Sequence, residues 1–207
     1  GLVFPVSEDD VMIEPIKLED HWPRIAAIDF GWDHPTAMVW CAVDNESETF
    51  YIYDCYRASK ASPTVHAQNI KMRPHFIPIA YPHDGNRRDS MGNPGLADQY
   101  RNLGCNFMLQ HFTNPPALGV DKGSNSIEEG LMAMLQKVEA GKFRVFNTLG
   151  DWFEEFRMYH RKDGKVVPLR DDLMSATRYA FQSQRFAIAG EDPSWTAGVE
   201  YRNYGII

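Results

Sequence analysis

Long apolar runs are missing from this 207-residue chain. None approaches the roughly 18 residues that a membrane-crossing helix needs, which excludes a helical span. The N-terminus lacks the basic-then-apolar pattern of a secretory signal. Cysteine is scarce: Cys41, Cys55 and Cys105 are odd in number and form no CxxC pair. That excludes a disulfide frame or a zinc knuckle and reads as ordinary thiols in a reducing compartment. The seven histidines show no HExxH and no i, i+4 zinc pair. No GxxxxGK[ST] occurs, so the chain carries no Walker-type ATP site of its own, and no GxSxG nucleophile elbow occurs either. There is no internal repeat and no low-complexity tract. Positive charge is outnumbered, 21 Lys+Arg against 28 Asp+Glu, for a net charge of −7. This argues against a whole-surface nucleic-acid binder. It leaves room for a local basic track around an acidic metal centre, because bound cations invert the local charge logic.

What is present suits one domain with a substantial core, at 43% hydrophobic and 13% aromatic content. Residues 1 to 23 hold "SEDD", several prolines and little periodicity, and read as a leader or linker. From Arg24 the pattern is regular. "RIAAIDFGW", "TAMVWCAV" and "ETFYIYDCYR" read as three antiparallel strands with short links. "SPTVHAQNIKMR" reads as a helix with Ser62 as N-cap and Pro63 in its first turn. "FIPIAYP" is a short buried strand weakened by Pro78. Residues 95 to 103 read as a helix stopped by Gly104, and "NFMLQ" as a further strand. "SIEEGLMAMLQKVEAG" carries a Ser126/Glu129 capping box and a stripe of Ile127, Leu131, Leu135 and Val138. "KFRVFN" is a strand, "DWFEEFRMYH" a helix capped by Asp151, and "RKDGKVVP" a hairpin marked by Asp-Gly. "DDLMSATRYAFQSQ" closes as a helix with Leu173, Ala176, Ala180 and Phe181 inward. The expectation is an α/β domain over residues 24 to 186, a mixed central sheet flanked by helices with an auxiliary β-hairpin. Residues 187 to 207 read as a C-terminal tail.

Three acidic positions stand out. Asp29 ends the first strand and Asp84 ends the fourth; lying side by side, the two strands would deliver both to one sheet rim, where open α/β sheets place their sites. Asp171 and Asp172 open the last helix, where the macrodipole tolerates anions. Taken alone, Asp29 reads as readily as a turn cap, while Asp84 reads first as a plain Asp-Gly turn and Asp171 and Asp172 as N-cap residues; Asp33 and Asp89 read as loop acids. Their joint order in a mixed α/β chain raises them above that. Clustered carboxylates repel and raise one another's pKa unless cations intervene. Oxygen ligands without Cys or His favour Mg²⁺ or Mn²⁺ over zinc. Two such ions roughly 3.5–4 Å apart stabilise the entering and leaving oxygens of phosphodiester cleavage.

His34 and His83 neighbour these acids and are candidates for touching substrate, with packing or capping as the alternative. Basic residues gather beside them. Arg87 and Arg88 follow Asp84, while His160, Arg161, Lys162, Lys165 and Arg170 surround the hairpin that leads into the acidic helix. They are candidates for phosphate contact, the alternative being a solvated hairpin tip. Lys122 and Ser124 are weaker candidates.

"AAIDFGWDHPTAMVW", "AYPHDG" and "HRKDGKVVPLRDDLMSATRYAF" together resemble the C-terminal nuclease domain of large terminase subunits of tailed double-stranded DNA phages, nearest the headful-packaging, P22-like group. The resemblance spans residues 24 to 184. It implies a ribonuclease-H-like fold of the resolvase and integrase kind. It also implies a metal-dependent endonuclease that cuts concatemeric viral DNA when packaging starts and when the head is full. The family's first two metal-binding acids fall on Asp29 and Asp84, and the third on Asp171 or Asp172. Many relatives carry a further Asp where this chain has Ser175, which makes Asp172 the favoured ligand. The implied partners are double-stranded DNA, an N-terminal packaging ATPase domain of the same polypeptide, the portal and the small terminase subunit. The implied place is the host cytoplasm, transiently at the procapsid portal. Two rivals stand beside this reading. One is another ribonuclease-H-like phosphotransfer enzyme, for which "DFGWDHPT" is a poor phosphate loop. The other is a non-catalytic module that docks DNA or a portal ring.

Overall fold

The computed structural model describes residues 1–88 and 90–190. In chain order the elements are a 3₁₀ turn Glu8–Asp10, β1 Met12–Ile13, β2 Arg24–Asp29, β3 Thr36–Asp44, β4 Thr49–Ala58, α1 Pro63–Lys71, β5 Ile79–Ala80 and a 3₁₀ turn His83–Asn86. Then come α2 Leu96–Asn102, α3 Ile127–Glu139, β6 Phe143–Phe146, α4 Gly150–Met158, β7 Arg161–Lys162, β8 Lys165–Val166, α5 Asp172–Gln182 and a last 3₁₀ turn Gln184–Phe186. Six strands form one sheet in the order β1-β6-β4-β3-β2-β5, and β7-β8 stand apart as a hairpin. The β2-β3 and β3-β4 pairs are antiparallel, as the three leading strands predict; β2-β5, β4-β6 and β1-β6 are parallel. Among the described residues no helix is long and apolar enough to cross a membrane.

The sheet separates two cores, and the period-2 alternation of the strands sorts residues between them. Ile25, Ala27, Ala37, Val39 and Cys41 face α3, α4 and α5. Ala26, Ile28, Met38 and Trp40 face α1 and α2. With both faces covered, β3 is buried along almost its whole length, which is why it reads as one apolar run instead of an alternation. The last helix lies across β2 and β3. Its four predicted inward residues, Leu173, Ala176, Ala180 and Phe181, are all buried.

Several local expectations give way to tertiary packing. The segment 1 to 23, read as a leader, packs onto the domain: Val3, Phe4 and Val11 are buried, and β1 pairs with β6. "NFMLQ" forms no strand; Phe107 makes a single bridge to Ile79. The α3 stripe runs through Gly130, Leu131, Met134 and Val138, while Ile127 is exposed. At Gly130 the Arg178 stem of α5 lies 2.8 Å from where a Cβ would stand, so α3 packs closely on α5 there. Half of the capping box forms: Ser126 Oγ accepts from Glu129 N at 3.4 Å, but the Glu129 carboxylate bonds the Ser124 hydroxyl. Asp151 is not an N-cap. Leu149 holds that position, and Asp151 reaches Arg57 at 3.2 Å. Ser62 is the N-cap residue of α1 but makes no side-chain cap bond.

Candidate active site

β2 and β5 run parallel with Ala26 opposite Ile79 and Ala27 opposite Ala80. Both strands therefore leave the sheet at the same rim. Asp29 is the last residue of β2. Asp84 comes four residues beyond β5, in the 3₁₀ turn His83–Asn86 and exposed, so it sits past the strand and not at its end. The tight turn depends on Gly85, where a Cβ would stand 2.8 Å from the rings of Phe30 and Tyr81.

After Asp29 the chain reverses through Gly31. A Cβ there would lie 2.3 Å from the His34 carbonyl oxygen, so only glycine closes this turn. The Thr36 hydroxyl ties it, accepting from Gly31 N at 3.1 Å and donating to Gly31 O at 2.9 Å. His34 is thereby returned toward the rim and lines a cleft of about 350 Å³ together with Arg57, Glu154, Arg170 and Asp172.

Asp29, Ala37 and Arg57 form one cross-strand row over β2, β3 and β4. Directly opposed residues share a face, so Asp29 and Arg57 both point toward the α4/α5 side, about 10 Å apart by strand spacing. The start of α5 lies over this side. Asp172 is buried at 8% exposure despite its charge. Tyr179, two turns along α5, donates its hydroxyl to Asp29 Oδ1 at 3.2 Å.

The electrostatics follow from this crowding. Burial, then the charges of Asp172, Asp84 and Asp171, push Asp29 up to about 7, against the pull of the Tyr179 hydrogen bond. Burial and Asp172 raise Asp171, with His34 and Arg178 pulling down. Burial raises Asp172, with His34 and Arg57 opposing it. Asp29 thus lies within reach of the charges of Asp84, Asp171 and Asp172. Such hard oxygen donors, short of counter-charge, fit a hard divalent cation. As they stand, however, no three His, Cys, Asp or Glu side chains among the described residues are close enough to hold a metal ion.

A second carboxylate group adjoins the first. Arg57 Nη1 donates to Glu155 Oε1 at 3.0 Å, and its Nη2 donates to Glu154 at 2.6 Å and Asp151 at 3.2 Å. Glu155 is 1% exposed, and its Oε2 accepts from Leu173 N at 2.6 Å and Met174 N at 3.2 Å. Asp171, the N-cap residue of α5, makes no side-chain cap bond. Burial lifts Glu155 to about 7, with Arg57 and the two amides pulling down and Asp172 pushing up. Arg57, Glu155 and Tyr179 escape the sequence reading. The only trace they leave is an acidic pair, Glu154-Glu155, whose phase on α4 turns the second residue inward.

The basic candidates divide. Arg87 and Arg88 are exposed just past the Asp84 turn, and His83 is exposed with its ring 6.2 Å from that of His111. The β7–β8 hairpin turns through Asp163 and Gly164, both at positive φ (50° and 76°), as Asp-Gly predicts. Lys162 and Lys165 are exposed at its tip. Arg161 is engaged by both oxygens of Glu128, at 2.5 and 2.7 Å, so it is partly neutralised. Arg170 lies in the left-handed region at φ 52° and lines the cleft, 3.9 Å from Glu154. Lys122 is exposed, and Ser124 is taken up by Glu129. Asp33 is exposed, and Asp89 lies outside the described residues.

A mixed sheet opening with three antiparallel strands, crossed by a final helix that brings carboxylates to the rim beside the first strand, defines a ribonuclease-H-like domain. A family model described as the terminase RNaseH-like domain matches residues 26–184. The large terminase subunit of Salmonella phage P22 is 35% identical over 188 residues, covering 90% of this chain and 36% of that protein. The solved structure of the P22 large terminase nuclease domain superposes with a TM-score of 0.82 at 34% identity, covering 91% of this chain and 95% of that one. The nuclease domain of the large terminase from bacteriophage SPP1, solved with bound Mn, shares the fold at 18% identity and a TM-score of 0.55, over 84% and 95% of the two chains. The chain belongs to the terminase RNase H-like family. It is the nuclease domain of a large terminase subunit, closely related to those of P22-like phages. It spans about a third of the length of the large subunits it matches (36% and 37%).

Proposed function

We propose that this domain is a divalent-metal-dependent endonuclease that cleaves concatemeric double-stranded viral DNA at the initiation and termination of genome packaging. The single observation that carries the reading is the field at Asp29, where burial is compounded by the charges of Asp172, Asp84 and Asp171. Carboxylates concentrated in this way, at the rim of a nuclease-class fold, call for cations. Asp29, Asp84 and Asp172 would hold two Mg²⁺ or Mn²⁺ ions, with Asp171 assisting. Bound, such ions supply the positive charge that ionises water and steadies the departing 3′ oxygen. Asp84, exposed on its turn, would approach the other acids when cation and phosphate draw them together, since Mg²⁺ binds loosely without substrate phosphate.

The protein residues act around that chemistry. Tyr179 orients Asp29 through its hydroxyl. Arg87, Arg88, Lys162, Lys165 and Arg170 would approach the DNA backbone, where their contacts position without reading sequence. His34, in the cleft with Asp172, and His83, beside Asp84 in sequence, would contact a bound phosphodiester. In the full-length protein the domain would work with an N-terminal packaging ATPase, the portal and the small terminase subunit, in the host cytoplasm and transiently at the procapsid.

The test is nicking of supercoiled plasmid in Mn²⁺. Cleavage that disappears in Asp29→Ala and Asp84→Ala supports the reading. DNA binding without cleavage in any metal, by a folded wild-type sample, would replace it with a docking module.

A further inference from the structure

We infer that Glu155, held by Arg57, is a positioning residue that caps α5 in place of that helix's own N-cap acid and so leaves Asp171 and Asp172 free to face the rim. This rests on the proposed function, and its test separates the two.

An aspartate at the N-cap ordinarily turns its carboxylate onto the amides of the second or third helical residue. In α5 those residues are Leu173 and Met174, and Asp171 occupies the N-cap without making either bond. Both amides instead donate to Glu155 Oε2, at 2.6 and 3.2 Å. The capping group is thus imported from α4. Its other oxygen is also committed, to Arg57 at 3.0 Å, so Glu155 is satisfied and 1% exposed. Neither oxygen is left over for a ligand, and Glu155 does not join the acids it orients.

The importing has a geometric consequence. Arg57 shares the cross-strand row of Asp29, two strands away. The linkage β4–Arg57–Glu155–α5 therefore sets the start of α5 against the same sheet row that carries Asp29. Asp172 and Asp29 are presented by elements locked to one another, which is the requirement for acids that must meet a common ion. Groups that hold ligands in this manner typically change metal affinity or activity by about 10–100-fold when altered.

The experiment measures Mn²⁺ binding to the intact chain from the loss of the free-ion electron paramagnetic resonance signal. Plasmid nicking is followed against Mn²⁺ concentration, in wild type, Glu155→Gln, Arg57→Lys and Asp172→Asn. Glutamine keeps the shape but loses the charge that Arg57 grips. Lysine cannot serve Glu155 and Glu154 as a planar fork does. The expected result is a folded Glu155→Gln protein, by circular dichroism, whose Mn²⁺ half-saturation rises about 10–100-fold in both readouts, with nicking recovering at saturating Mn²⁺. A merely structural role would lower the plateau and leave the half-saturation in place. Arg57→Lys should shift it in the same direction by less, and decides the matter if Glu155→Gln does not fold. Wild-type Mn²⁺ affinity in whichever of the two variants folds, while Asp172→Asn loses binding, overturns the positioning role and spares the proposed function. A wild-type chain that neither binds Mn²⁺ nor nicks plasmid at any Mn²⁺ concentration overturns both.

Discussion

Two groups of carboxylates flank the start of α5, and the fold treats them differently. Glu155, with Glu154 and Asp151 beside it, meets Arg57 and two backbone amides. Asp29 meets the neutral hydroxyl of Tyr179 and the charges of Asp172, Asp84 and Asp171. Burial lifts Glu155 and Asp29 alike to about 7, but donors pull the first back while mostly like charges push the second further. Equal proton affinity therefore conceals opposite circumstances. The first group is complete within the protein. The second stores repulsion that an added cation can relieve, and that contrast separates a structural acid from a reactive one more sharply than burial does.

The largest expected effect comes from breaking the second group. Asp29→Asn or Asp172→Asn should reduce Mn²⁺-dependent plasmid nicking to background while raising the metal-free thermal midpoint, because a repelling charge has been removed. Wild-type cutting rates would dissolve the contrast. Breaking the first group should do the reverse to stability. Glu155→Ala leaves the Leu173 and Met174 amides without their acceptor and Arg57 with only Glu154 and Asp151, and should lower the unfolding free energy in urea by about 1–3 kcal/mol. A loss under about 1 kcal/mol would class the group with exposed ion pairs.

A pH series sharpens the comparison. Asp29 is raised to about 7 in the folded state, against about 3.9 unfolded. The folded protein thus binds the proton more tightly, and the resulting stability is complete below the unfolded value and lost as pH rises through 7. The metal-free thermal midpoint should fall between about pH 4 and 7. Mn²⁺ at pH 7 should restore part of it. Asp29→Asn should flatten the slope without abolishing it, since Glu155 contributes with the same sign. The smallest effect concerns the hairpin. Lys165→Ala should reduce the salt slope of DNA binding by about 1, measured by fluorescence anisotropy. Arg161→Ala should change it less, because Glu128 already engages that guanidinium.

Much of this could be read before any coordinates. The strands β2 to β4 announce themselves by composition, and the hairpin by Asp163-Gly164. The candidate acids stand out by sitting where a strand or helix changes. Other features were out of reach for a shared reason. Nothing local distinguishes Glu155 from Glu154, or shows that Asp151 would leave its helix end for Arg57. Nor does the α3 pattern reveal that Arg178 would pack against Gly130. Each depends on a side chain from a remote element. The first segment illustrates the same point, since Val3, Phe4 and Val11 show no periodicity and are buried by what they pack against.

By itself, the sequence determined the alternation that fills both faces of the sheet, the tight turns at Gly31 and Gly164, and the supply of acids near one rim. Those are matters of backbone sterics and nearest-neighbour pattern, which a few consecutive residues carry. The tertiary structure alone decided which acid would cap α5, which would be neutralised and which would be left to repel. Arg57 and Glu155 lie 98 residues apart, and Tyr179 and Asp29 150 apart. Hydrogen bonds act over about 3 Å, so only the packing of helices on the sheet could bring those partners together.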